Sequence, residues 1–217
     1  MPDQKSQAAT GTIVVTGMGR VAVEPDVADL RLGVSVSRPT VEAARADAAR
    51  VMGAILAAVD GAGVARNDVR TSLVSVQPRY DYRDGRAPTL TGYELANVVE
   101  VTVRDLARLG DVVDRTLEAG ATSMDSLSFR VADPAPAERE ARVLAMNAAR
   151  ARADVLAEAA GLAIIGVSDI VEGGPARPPI PFAKAERMAL AAADVATPVE
   201  AGSLEVAVTV TVTYRAR

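Results

Sequence analysis

The β-branched run Thr12 to Thr16 leads into Gly17-Met18-Gly19-Arg20-Val21-Ala22, whose glycine spacing fits the G-x-G-x-x-A variant of a loop that cradles a dinucleotide pyrophosphate. Such a loop must open directly into a helix, because the first helical amides hold the phosphates. Here Val21-Ala22-Val23 reads as strand and Pro25 follows. No acidic residue stands at the expected distance after a second strand of a βαβ unit, so the context argues against nucleotide binding. The two glycines are expected instead to bend or bulge an edge strand. The carboxylate pairs Glu138 with Glu140 and Asp111 with Asp114 have the types needed for acid and base in glycoside chemistry. Both pairs lie on predicted amphipathic helices, and with no Trp for a sugar platform they are explained as solvated helix faces. No D-x-D-x-D-G loop points to Ca²⁺ or Mg²⁺. Lys5 and Lys184 are the only lysines, and neither belongs to a Ser-x-x-Lys motif that would activate a serine.

The chain has no His and no Cys, which removes the imidazole base, the thiolate nucleophile, disulfides and ordinary zinc, haem or iron–sulfur ligation. No cofactor is expected. What remains is a cluster of rings and guanidiniums: Tyr80, Tyr82 and Tyr93 on two predicted strands flanking Asp84-Gly85, close to Arg79, Arg83 and Arg86. Two readings stay open for it. One is a recognition patch; the other is a strand pair that favours aromatics, with arginines solvating a hairpin tip.

The elements that must position these groups follow from hydrophobic period. Leu30, Leu32, Val34 and Val36 alternate with Asp29, Arg31, Gly33 and Ser35, as on a half-buried strand, and this stretch is expected to pair with Thr12 to Thr16 as a hairpin. After Pro39 the period lengthens. Thr40 caps a helix with Ala44, Ala48, Met52, Ile55, Leu56 and Val59 on its apolar side, ended by Gly61 and Gly63. Val69 to Tyr82 and Leu90 to Val103 are extended, with Asp84-Gly85 as the hairpin turn. A second helix runs from Asp105 to Gly120 with Leu106, Leu109, Val113 and Leu117 on one face, and a strand follows from Ser126 to Val131. A third helix of about 25 residues carries Leu144, Ala148, Val155, Leu156 and Ala159 on its apolar side before Gly161, and a strand runs from Ile164 to Val171.

Residues 1–11 are expected to be a disordered tail, residues 12–217 one domain, and residues 173–201 a Pro/Ala-rich insertion with one short helix over Ala183 to Ala193. The last strand alternates Leu204, Val206, Val208, Val210, Val212 and Tyr214 against Glu205, Thr209, Thr211 and Thr213, so one face is buried and the other wet. The whole reads as α+β: a mostly antiparallel sheet with long helices packed on one face, in one lobe or two. Of 217 residues 43 are Ala, which suggests helices packed closely through small side chains. The net charge of -4 supplies no basic footprint, so nucleic acid is not an expected partner. No run of eighteen apolar residues offers a membrane span, and Met1 to Gln7 show no apolar leader. The chain as given reads as cytoplasmic, or as periplasmic or cell-surface if a leader has been removed.

In order, Ile13-Val14-Val15-Thr16-Gly17-Met18-Gly19, Glu24-Pro25-Asp26-Val27-Ala28, Thr71 with Pro78-Arg79-Tyr80, Gly92-Tyr93-Glu94 with Asn97, the Ala-rich third helix and Ala201-Gly202-Ser203-Leu204 resemble the SIMPL-domain family. The opening stretches look like its "V-x-G-x-G" and "P-D-x-A" signatures, and the match covers nearly the whole chain. The resemblance implies helices on antiparallel sheets, no established catalytic activity, and in some members large ring-like or channel-like homo-oligomers. Bacterial members of the family are linked to envelope and oxidative-stress phenotypes. Arg79, Tyr80, Tyr82, Tyr93 and Asn97 are the candidate binding residues, and the resemblance supplies no catalytic residue. The leading expectation is a non-enzymatic protein that self-associates and binds another protein through edge strands, around Tyr80 and Val208, and through the Pro-rich segment. The alternative is a small-molecule-binding protein or enzyme using carboxylate, Arg and Tyr groups in an interlobe cleft.

Overall fold

The computed structural model describes residues 11–82, 87–173, 180–182, 197 and 199–217. The fold is α+β, with eight strands and three α-helices among the described residues: β1 (Gly11–Val23), β2 (Val27–Arg38), α1 (Val41–Gly61), β3 (Val69–Asp81), β4 (Thr89–Val103), α2 (Leu109–Glu118), β5 (Ser123–Arg130), α3 (Ala135–Ala159), β6 (Ile164–Glu172), β7 (Ile180–Phe182) and β8 (Ser203–Ala216). They fall into two compact units, one holding β2 to β5 with α1 and α2, the other β1, α3, β6, β7 and β8. No helix among the described residues is long and apolar enough to cross a membrane.

In the first of these units the sheet order is β3-β4-β2-β5, antiparallel throughout. Thr40 caps α1 by accepting a hydrogen bond from the Ala43 amide, satisfying one of the orphan donors of the first turn. The helix buries Ala44, Ala48, Met52, Ile55 and Val59 against Leu30, Leu32 and Val34 of β2 and Val99 and Val101 of β4. Leu56, expected on that side, is largely exposed. Asp105 caps a single 3-10 turn, Leu106–Arg108, before α2 closes the same core with Leu109, Val112 and Val113. Leu117, assigned to the buried face, is instead exposed, and Thr116 takes its place with its hydroxyl donated back to Val112 and Val113 carbonyls. By alternation the opposite face of the sheet carries the polar residues of β2 and β4.

The second unit stacks α3 on the sheet β1-β8-β6, with β7 paired to one end of β8. Its core is a ladder of alanines: Ala137, Ala141, Ala145, Ala149, Ala153 and Ala157, four apart along α3, are all buried. They meet Gly17 and Gly19 on β1, where even a methyl group is excluded. A Cβ at Gly17 would lie 2.0 Å from the Ala145 carbonyl oxygen, and one at Gly19 would lie 2.0 Å from that of Ala141. The glycines thus sit inside an unbroken register, Gly11 opposite Ala216 through Val23 opposite Leu204, with no bend or bulge. Their role is close approach of helix to strand.

That contact also overturns the expected face of α3. Leu144, Val155 and Leu156 lie outward, Val155 at 66% exposure, because large side chains find no room against a glycine-bearing strand. The expected pairing of Thr12 to Thr16 with β2 fails as well: β1 pairs β8, while β2 lies between β4 and β5. Glu24-Pro25-Asp26 is not one of the tight turns that fold a strand back on its neighbour. Val208 is buried in the central strand β8, so it forms no edge. Each helix is followed by a strand, as expected, and glycines with positive φ, Gly120 at 103° and Gly161 at 67°, stand just past the ends of α2 and α3. The Asp84-Gly85 turn, residues 1–10 of the tail and the Ala183 to Ala193 helix lie outside the described residues. Gly11 already belongs to β1, and residues 180–182 of the expected insertion form β7.

Candidate functional site

The sequence-predicted patch is divided by the pleat. Arg79 donates to the Ser37 hydroxyl at 3.1 Å and stands 4.0 Å from Glu94, which in turn accepts from Ser35 at 2.8 Å. These groups occupy the polar face. Tyr80, the next residue of β3, turns to the other side with Tyr82, their ring centroids 6.3 Å apart and tilted by 58°. Tyr93 pairs with Pro78 across β3–β4 and with Arg38 across β2–β4. Asn97 is four residues further along β4, about 13 Å away at strand rise, between Val34 and Val74. Its Oδ1 is buried without a hydrogen-bond partner among the described residues. The structure therefore brings Tyr80 and Tyr82 together and leaves Arg79 and Asn97 apart from them. Arg83 and Arg86 lie outside the described residues.

A denser polar arrangement lies on the opposite face from α1 and α2. The pairing sets Ser126, Arg31, Glu100 and Arg70 side by side across β5, β2, β4 and β3, and sets Ser128, Asp29 and Thr102 in the next row. Arg130 donates to Asp29 at 2.6 Å and Thr102 donates to it at 2.7 Å. Partial burial pushes the Asp29 carboxyl up, but those two hydrogen bonds and the charges of Arg130 and Arg70 outweigh it and hold the group below its ordinary value. Asp68 is held low by a two-pronged hydrogen bond from Arg104, at 2.9 and 2.7 Å. Sequence reasoning missed this face. Its signal was present in the alternation of Asp29 and Arg31 with Leu30 and Leu32, but the neighbours of those charges depend on strand pairing.

The third feature is the sheet edges. β1, an edge of its sheet, has its Thr16 carbonyl taken by the Arg152 guanidinium from α3. β6 is broken by two register shifts and carries Asp169 and Glu172. β5 is short, opposes an irregularity in its register with β2, and carries Asp125 and Arg130. β3 also has two register shifts, at Thr71/Leu73 and Arg79/Tyr80, but between them, from Leu73 to Gln77, it is uncharged, and Leu73, Val74 and Val76 are exposed, Val74 at 62%.

Residues 13–214 match the family described as SIMPL, protein of unknown function (DUF541). The chain is 32% identical to the 26 kDa periplasmic immunogenic protein of Brucella melitensis, over 97% of this chain and 88% of that protein, and equally to the protein of the same name from Brucella abortus. It is also 32% identical to the uncharacterized protein YggE of Escherichia coli K12, over 67% of this chain and 58% of YggE. A match that runs from β1 to β8 and through both units shows that this chain belongs to the SIMPL family.

Proposed function

We propose that the protein is a non-enzymatic interaction module that self-associates through the β3 edge and presents the resulting assembly to a protein partner. The observation that carries this reading is the Leu73 to Gln77 stretch of β3. An edge strand offers unpaired amides and carbonyls, and proteins ordinarily blunt such edges with charges, bulges or covering groups. Arg152 does so for β1, and acidic side chains with closely spaced register shifts do so for β6, whereas the two shifts of β3 lie outside Leu73 to Gln77. Among the described residues no side chain hydrogen-bonds the backbone of Val74 to Gln77, and the exposed valines there would be covered by a second strand. Tyr80 and Tyr82 extend the same margin with two amphipathic rings.

The non-enzymatic reading is supported by the lack of an imidazole, the most frequent acid–base group, and of a thiol nucleophile in the chain. The Brucella relative's name places that protein in the periplasm, and we assign this chain the same compartment with an envelope-related role. Light scattering on the purified protein over a hundredfold range of concentration tests the reading. The expected mass is a multiple of 22.4 kDa that falls on dilution. A constant 22.4 kDa would refute it.

A further inference from the structure

On the polar face of the β3-β4-β2-β5 sheet lies a cavity of about 540 Å³, within the size range of small-ligand sites. We propose that it binds a small oxyanion, a carboxylate or a phosphate, whose charge is met by Arg31 and whose oxygens accept from Ser126 and Ser128. Three carboxylates line the cavity, Asp29, Asp68 and Glu100, and each is already engaged. Arg130 and Thr102 hold Asp29, Arg104 holds Asp68, and the Arg70 Nε donates to Glu100 at 2.8 Å. These pairs cancel one another's charge.

The groups without hydrogen-bond partners have the opposite character. Arg31 is held only by a loose, half-exposed ion pair to Asp125, whose carboxylate stands 3.6 Å from Nε, too far for a hydrogen bond, and its terminal nitrogens bond to no described group. Its side chain is still 42% exposed, so the guanidinium is accessible. Ser126 stands beside Arg31 in register and Ser128 beside Asp29, and neither hydroxyl bonds to another described group. A planar cation flanked by free hydroxyl donors is the donor set that a carboxylate or phosphate satisfies with charge-assisted hydrogen bonds. A bound oxyanion would accept from the terminal nitrogens of Arg31 and leave the three closed pairs intact.

Equilibrium dialysis of the full chain against labelled inorganic phosphate and labelled acetate, at fixed ionic strength in sodium chloride, tests this. Saturable binding of at least one probe, at one site per chain, is expected, and whichever probe saturates identifies the oxyanion class. R31Q should weaken it by about tenfold or more, the loss of a charged hydrogen-bond partner, and S126A/S128A by several-fold. Both serines are exposed, so the double variant gives a readout even if R31Q fails to fold. Absence of saturable binding to both probes overturns the site, and so does unchanged affinity in S126A/S128A or in folded R31Q.

Discussion

At the scale of single residues, two positions carry the most specific chemistry. Gly17 and Gly19 look like half of a phosphate loop when read in line, but they are the floor on which the alanines of α3 rest. G17A or G19A should lower stability by about 1–3 kcal/mol through overpacking, read as a fall in the urea midpoint. Asp29 supplies a pH signature. Its folded pKa lies below the ordinary 3.8, so the stability it contributes is complete above that value and is lost as pH falls through the folded one. D29N should therefore be less stable than the wild type at neutral pH, and the gap should close as pH drops from about 5 towards about 2. A gap that stays constant across an acid series of urea midpoints would show that the carboxylate charge is not what stabilises this face.

At the scale of elements, legibility in the sequence followed periodicity. α1 and β8 were readable because their patterns are long and one face of each is uniformly apolar, and β3 and β4 because they are long extended runs, although Thr71 and Asn97 interrupt their apolar faces. The cap at Thr40 was readable for the same local reason, and T40A should cost about 1 kcal/mol, measured by chemical denaturation. α3 was readable as a helix but not in its orientation. Its large residues, Leu144, Val155 and Leu156, would dominate any hydrophobic count, yet the face that packs is the one with methyl groups alone. The space available was set by glycines more than a hundred residues upstream, which no window along the helix contains. The pairing of β1 with β8 was hidden in the same way, since its partners are separated by nearly the whole chain. The candidate patch was half legible: Tyr80 and Tyr82 do share a side, but the pleat turns Arg79 to the other face and Asn97 lies farther along β4. The element-level prediction concerns the β3 edge. V74K/V76K should reduce the assembly to a 22.4 kDa species while the circular dichroism spectrum stays that of the wild type.

At the scale of the whole molecule, the central claim is that this SIMPL-family chain works through surfaces, with β3 as the strand that meets another copy. Hydrogen exchange of the β3 amides at low and high protein concentration tests it most directly, because it reports pairing at the strand itself and not mass alone. Amides within Leu73 to Gln77 that exchange quickly in dilute wild type should become protected on concentration, and the V74K/V76K variant should show no such change. Unchanged exchange across this stretch in concentrated wild type that has nonetheless assembled would contradict the claim.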